Sequence, residues 1–364
     1  MKKTLTATTA RAINYGAILQ AYSLQRKILE MGYKNEIIYI KNEKPKYFEE
    51  IKGYPIRIKI IKLLENFFRI FRYKDCKKAF NRFLNFSDEN IISTKEISRL
   101  DELELENYQI LITGSDQVFA FGTKENVNEI RFLNYDSDMK LKKVSFAASF
   151  GTYNLSNEQL NYMKNSLKKY DEVSVREEQG KNFLDKVLNI KSQVNIDPVF
   201  LHTKEEWESI IDKERIIKDQ YILCYFLVSS PILENVIKKL KVKYNLPIVC
   251  VQLTSIKRIR ADKYIFDAGP KEFLNLFKNA EFIVTTSFHG TAFALIFEKS
   301  FYSVLKAEYR TERFESLLKK VNLENRIIRE EIPEISEIDY ISVRDIIEEN
   351  RLRNIDYLKK IFEN

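Results

Sequence analysis

A chain of 364 residues with 45% hydrophobic content has room for two domains with full-sized cores and is too apolar to be a disordered polymer. Its formal net charge of +8 is concentrated, because Ile56 to Arg82 holds nine Lys or Arg against only Glu65 and Asp75; the remainder is close to neutral, which argues against a general nucleic-acid binder. Cys76, Cys224 and Cys250 show no paired spacing and the last two fall inside apolar runs, which argues against a disulfide framework and against a zinc site.

From the start of the chain, MKKTLTATTA carries two lysines but no apolar core of signal-peptide length, and no later run reaches the length of a membrane span. The expectation is a cytoplasmic protein, soluble or peripheral on the inner face of the cell membrane. Lys3 to Thr9 predicts a strand, residues 8–16 a polar loop ending at Gly16, and Ala17 to Met31 a helix. Ile18, Leu19, Tyr22, Leu24, Ile28 and Leu29 recur there at helical spacing, and Gly32 closes the segment. Glu36–Ile40 is the next strand, so the chain opens as a βαβ unit, whose first loop is a usual ligand contact. Asn14, Tyr15 and Gly16 either meet a ligand there or only make the turn.

Ile56 to Phe86 alternates Ile60, Ile61, Leu64, Phe67, Phe68, Ile70 and Phe71 with Arg and Lys at a near-helical period. One reading is a basic amphipathic helix lying on an anionic membrane face; the other is a solvated helical face with aromatic contacts to the core.

Tyr108–Ile112 is a strand that runs into Thr113–Gly114–Ser115–Asp116–Gln117, and Lys142–Phe146 another that runs into Ala147–Ala148–Ser149–Phe150–Gly151. After a helix over about Asn157–Lys169, Glu172–Val175 delivers Arg176 and Glu177, and Val194–Asp197 ends at Pro198. Strand after strand thus ends in polar or small residues, as the carboxyl edge of a parallel sheet requires. A second α/β unit follows, with strands at Tyr221–Val228, Ile248–Leu253, Tyr264–Phe266, Phe282–Thr286 and Phe301–Leu305. Gly269–Pro270 starts a helix over Lys271–Asn279; Thr311–Val321 and Ile341–Phe362 also read as helices. The expected fold class is therefore α/β, with two Rossmann-like halves facing across a cleft. Residues 1–197 form the first, with a basic helical insertion at about 56–86; residues 198–340 form the second; and 341–364 is a C-terminal helix folding back on the first.

The stretch Phe282–Gly290, FIVTTSFHG, organises the second half. Its strand ends at Ser287, His289 and Gly290 before an apolar helical pattern resumes over Thr291–Phe297, which places His289, one of two histidines in the chain, where anions are favoured. His289 either meets an anion or helps to cap the helix.

Seven stretches, in this order, resemble the polysaccharide pyruvyl transferases. They are Asn14–Tyr22 (NYGAILQAY), Thr113–Phe119 (TGSDQVF), Ser145–Gly151 (SFAASFG), Ser174–Glu177 (SVRE), Asp197–Leu201 (DPVFL) with Trp207 behind it, Asp267–Pro270 (DAGP), and Ser287–Gly290 (SFHG). The resemblance covers roughly residues 1–320. It implies a fold like that of two-domain GT-B glycosyltransferases, phosphoenolpyruvate as donor substrate with no separate cofactor, and a glycan acceptor, free or lipid-linked, that receives a pyruvate ketal. Some members carry an arginine at the position of Ser287, so the resemblance also leaves another cation, Arg310 or Arg313, to supply that charge.

Phosphoenolpyruvate brings a carboxylate and a phosphate on one small enol ether, and arginine matches both groups in geometry. Arg176, at a strand end, is the first candidate ligand, opposed by His289 and the backbone N–H groups of the following helix. Ser287, Gly290, Asn14, Gly16, Ser115, Gln117 and Ser149 stand in the matching motifs as further substrate-binding candidates. The reaction needs one proton delivered to carbon and one taken from a hydroxyl, for which His289 and Asp116 are the candidate catalytic groups. Asp116 is equally readable as a turn or N-cap residue. Asp197 reads as a shaper of the domain crossover, His202 as solvated and Trp207 as packing. No metal is required. A sugar-nucleotide-dependent glycosyltransferase and a non-catalytic, membrane-associated member are the competing readings.

Overall fold

The structure, a computed structural model, describes residues 3–41, 56–121, 125–135, 139–151, 153–253, 259–305, 311–330, 332, 334 and 336–363. The first half runs β1 (Lys3–Ala7), α1 (Tyr15–Glu30), β2 (Lys34–Ile40), α2 (Ile56–Phe71), α3 (Tyr73–Asn90), β3 (Ser93–Ile97), β4 (Ile110–Thr113), α4 (Glu125–Arg131) and β5 (Lys142–Ser145). Then come α5 (Asn157–Leu167), β6 (Ser174–Val175), α6 (Glu178–Phe183) and β7 (Gln193–Val194). The strands form a five-stranded parallel sheet in the order β3-β2-β1-β4-β5, which β6 and β7 extend through isolated bridges such as Ala148 to Val175. Leu5, Ala7 and Leu111 face one side of this sheet, and Ile110 and Ile112 the other, so both faces are dry and each is covered by helices.

A 3-10 turn, Pro198–Leu201, leads through α7 (Lys204–Glu208) into the second half: β8 (Ile222–Tyr225), α8 (Pro231–Tyr244), β9 (Ile248–Val251), β10 (Lys263–Ile265), α9 (Pro270–Asn279), β11 (Phe282–Thr285), α10 (Phe288–Ile296), β12 (Ser300–Val304), α11 (Glu312–Lys320) and β13 (Ile327–Ile328). Its sheet is also parallel, in the order β10-β9-β8-β11-β12-β13. Local signals start and stop its helices. Ser230 caps α8 ahead of Pro231, and Asn245 ends it in the left-handed region at φ 51°. In both sheets the strand order reverses once, between β1 and β4 and between β8 and β11. Such a reversal opens a crevice at the carboxyl ends of the strands.

The two halves share one core rather than meeting at a hinge. Tyr15 of α1 stacks on Phe273 of α9 at 4.2 Å between ring centroids, and its hydroxyl donates to the Ala268 carbonyl at 2.8 Å. Those contacts tie the start of the first helix to the second sheet. The last helix, α12 (Tyr340–Glu363), packs Tyr357, Leu358, Ile361 and Phe362 against Ile110, Ile112 and Val144 of the first sheet. No helix among the described residues is long and apolar enough to cross a membrane.

Some elements differ from the sequence expectation. The segment 56–86 is not one helix but two, separated at Arg72, whose backbone (φ −111°, ψ 32°) leaves the helical region. The helix after FIVTTS starts at Phe288, not at Thr291, because Ser287 caps it, which puts His289 and Gly290 inside its first turn. Short β3 and β13 had no apolar alternation to announce them.

Candidate functional site

The crevices of the two sheets open onto one another. From the first come Thr9 and Asn14 after β1, and Asp116 and Gln117 after β4; from the second come Leu227 after β8, and Ser287, Phe288 and His289 after β11. With Ala120, Phe121, Arg131 and Arg313 they line a cavity of about 340 Å³. Two helices begin at its wall. Asn14 caps α1, its side chain accepting from the Ala17 N–H at 3.2 Å, and Ser287 caps α10, accepting from the Gly290 N–H at 3.4 Å. A helix N-terminus favours anions, and here two converge on a space that also holds an imidazole and two guanidinium-bearing residues.

His289 is held on both sides. The position of a Cβ on Gly16 would fall 1.9 Å from its Nδ1, so the first helix approaches the ring along bare backbone. On the other side Nε2 lies 3.4 Å from Asp197 Oδ2. Asp197 is fully buried, and the same Oδ2 accepts from Arg176 Nη1 at 2.5 Å. Arg176 Nε donates to Glu177 Oε1 at 3.0 Å, which also accepts from Ser149 Oγ at 2.6 Å. A buried hydrogen-bonded relay thus runs Ser149–Glu177–Arg176–Asp197, with His289 Nε2 beyond it in ion-pair range but without a hydrogen-bond partner, and the Arg176 guanidinium lies 4.4 Å over the Phe288 ring. Burial alone would raise the Asp197 carboxyl, but His289 and Arg176 outweigh it and hold it well below the usual carboxylate range. Burial works the other way on Arg176, where Glu177 and Asp197 prevail and stabilise the charged form.

Measured against the sequence candidates, the structure brings His289, Ser287, Asn14, Asp116, Gln117 and Arg313 to the cavity wall. Asp116 stands in the left-handed region at φ 71°, held there because its carbonyl accepts from the Ser149 N–H at 2.8 Å. Gly16 and Gly290 serve by closeness of backbone: a Cβ on Gly290 would lie 2.2 Å from Thr285 Oγ1, so only glycine lets α10 sit down on β11. Ser149 and Ser115 are buried behind the wall. Ser149 orients Glu177, and Ser115 accepts from Thr8 Oγ1 through its carbonyl at 3.0 Å. Arg310 lies outside the described residues.

Arg176 is a correction. Expected to face the anion across the cleft from His289, it is buried beside it, with Nε and Nη1 already bound to carboxylates and only Nη2 without a protein partner. Its neighbour Asp197 is more than a crossover residue, since it joins the two halves of the site. His202 is not solvated: it is buried between Tyr22 and Trp207, 3.2 Å from the Ser23 carbonyl. Arg131, with Nη2 donating to Thr9 Oγ1 at 3.1 Å, was missed because α4 carries no motif. The only signal that could have pointed to it is its place after a crevice-forming strand.

Two other features compete for attention. A larger cavity, about 1160 Å³, lies between β5 and α12, but its lysines and arginines are mixed with Asp171, Glu172, Glu178 and Asp356, so no single charge converges there. Glu30, His202 and Glu206 are close enough to share a cation, but the Lys27 ammonium sits 2.8 Å from Glu30 and 3.4 Å from Glu206 and already supplies it.

Gly16 gives a direct test of how tightly the cavity is built. Gly16→Ala improves helix propensity by roughly 1 kcal/mol, yet its methyl group must displace the imidazole. The clash outweighs that gain, so the expected outcome is a protein that still folds but melts below the wild type, with catalysis reduced about 100-fold or more, as ångström-scale misplacement of a reacting group produces. Thermal melting and turnover measured side by side check it.

The sequence matches the family model described as polysaccharide pyruvyl transferase over residues 14–305. Among solved structures it is similar to a UDP-GlcNAc 2-epimerase from Methanocaldococcus jannaschii, with a TM-score of 0.51 at 15% identity over 96% of this chain and 92% of that one. A UDP-N-acetylglucosamine 2-epimerase from Rickettsia bellii gives 0.50 at 11% over 100% and 96%, and a glycosyltransferase from Rickettsia africae 0.50 at 12% over 100% and 99%. At these identities the likeness speaks for the fold, which is GT-B-like. No curated protein matches the sequence.

Proposed function

We propose, since this chain belongs to the polysaccharide pyruvyl transferase family, that it transfers pyruvate from phosphoenolpyruvate to two hydroxyls of one sugar in a cell-surface polysaccharide or its lipid-linked precursor. The observation that carries this reading is the convergence of two helix N-termini, His289, Arg131 and Arg313 on a space of about 340 Å³. That volume is at the lower end for ligand sites and suits a donor of phosphoenolpyruvate size. Its carboxylate and phosphate would share the helix ends and the two arginines, with Arg176 Nη2 behind them.

Protonation of the donor at C3 makes C2 an oxocarbenium-like centre. A first hydroxyl attacks C2 and a second displaces phosphate; of the two hydroxyl protons lost, one balances the proton given to C3 and the other leaves with the phosphate, so the products are a ketal and inorganic phosphate. His289 is the acid or base, as the one imidazole at the cavity wall, and Asp116, from the first half, is the group left to serve the hydroxyls. No cofactor enters this scheme. The chain would work in the cytoplasm, at the inner face of the cell membrane where the acceptor is lipid-borne.

The experiment is incubation with phosphoenolpyruvate and a panel of free and lipid-linked glycosides, following phosphate release. Release that depends on a glycoside is expected. Turnover of a sugar nucleotide, with phosphoenolpyruvate inert throughout, would replace this reading with that of a glycosyltransferase. Within it, Arg131→Ala and Arg313→Ala each remove a charged donor worth about 1.5–3 kcal/mol, so KM for phosphoenolpyruvate should rise roughly 10–100-fold while kcat changes less.

A further inference from the structure

Helix α2 leaves its apolar side in the open. Ile56, Ile60, Leu63, Leu64, Phe67, Ile70 and Phe71 recur at the spacing of one helical face, and every one is exposed, from 47% for Leu64 to 76% for Ile56. Exposed apolar residues elsewhere, such as Val187, Val242 and Leu352, are scattered singly, which is ordinary; a continuous row is not. At 16 residues the helix is about 24 Å long, short of a membrane span but suited to lying in an interface.

The row is fixed to the body of the protein. In α3, which follows directly, Arg82 pairs with Asp267 at 3.2 Å and Glu272 at 3.0 Å, Lys78 pairs with Asp267 at 2.9 Å, and the Arg72 guanidinium between the helices lies 4.2 Å over the Phe266 ring. A Cβ on Gly269 would come within 2.4 Å of Arg82 Cβ, so α3 rests on bare backbone of the second half. The stripe is therefore carried on a hairpin that touches both halves of the molecule.

We propose that α2 docks the protein on an anionic lipid bilayer, its apolar row in the acyl boundary and the surrounding basic residues on the headgroup phosphates. Charge selects this occupant. With Arg72, Lys78 and Arg82 engaged by the second half, the sequence of α2 itself still carries Arg57, Lys59, Lys62 and Arg69 against Glu65 alone, so a second copy of the same helix would meet it with like charge, whereas an anionic surface complements it. The inference goes beyond the chemistry of the cleft, and its test needs no turnover, so either can fail alone.

The test is sedimentation of the full chain with vesicles of phosphatidylcholine, with and without phosphatidylglycerol, at low and raised salt. Partition onto the phosphatidylglycerol vesicles is expected, weakening as salt rises. Phe67→Asn combined with Ile70→Asn should lower it about tenfold or more with no change in thermal melting, because both side chains are exposed in the folded protein. The proposal is overturned by failure to partition, by equal partition onto neutral vesicles, or by a double variant that binds like the wild type. It is also overturned if sedimentation velocity shows a dimer that the double variant splits.

Discussion

Replacing His289 with Gln is expected to lower kcat for pyruvyl transfer by about 10²–10⁴-fold, the usual contribution of a positioned general acid or base, with a much smaller change in KM for phosphoenolpyruvate. The split follows from the division of labour at the cavity. On the proposed reading anion binding is shared by two helix N-termini, Arg131 and Arg313, whereas His289 is the one imidazole among the wall residues. Glutamine keeps hydrogen-bonding capacity beside Asp197 Oδ2, now 3.4 Å from Nε2, so the fold should persist. Steady-state kinetics, together with circular dichroism to confirm folding, decide the matter. A variant with wild-type kcat would strip His289 of any role in proton transfer.

Much of this arrangement is legible in the chain because parallel sheets write their edges plainly. Apolar runs ending in TGSDQ, SFAAS or TTSFHG mark carboxyl ends of strands, and a rare histidine beside one of them stands out. What stays hidden depends on contacts far apart in sequence. Nothing near Asp197 announces that Arg176 and His289 will both reach it; that follows from how the Pro198–Leu201 turn lies against α1, where the Ser23 hydroxyl donates to the Pro198 carbonyl and the Trp207 indole donates to Val199 at 2.8 Å. The same packing buries His202, whose polar neighbours in sequence suggested solvent. Arg176 shows the converse failure: its strand end is plain in the chain, but local sequence does not tell that two carboxylates claim its guanidinium. The break at Arg72 was also invisible, since no glycine or proline marks it.

Asp197→Asn is expected to cost about 3–5 kcal/mol of stability, because it leaves the guanidinium of Arg176 buried with half of its compensating charge removed. The sign of the pH dependence follows from the direction of the shift. Asp197 is held below its unfolded value, so its stabilisation is present above about pH 4, the ordinary aspartate range, and is lost as the pH falls below that toward the folded value. Wild type and variant should therefore differ fully at neutral pH and converge in acid, where the wild-type carboxyl also becomes neutral. Urea titrations at neutral and acid pH read this directly, and a gap that widens in acid would contradict it. The same residue links stability to the proposed chemistry, since its carboxylate lies 3.4 Å from the imidazole, whose other side rests on the Gly16 backbone. Arg176→Met added to Asp197→Asn removes the stranded charge and should recover part of the lost stability, while activity stays low because the carboxylate beside His289 Nε2 is still missing. Recovery of both together would mean that Asp197 and Arg176 serve only the fold; recovery of stability alone makes them positioning residues for the imidazole.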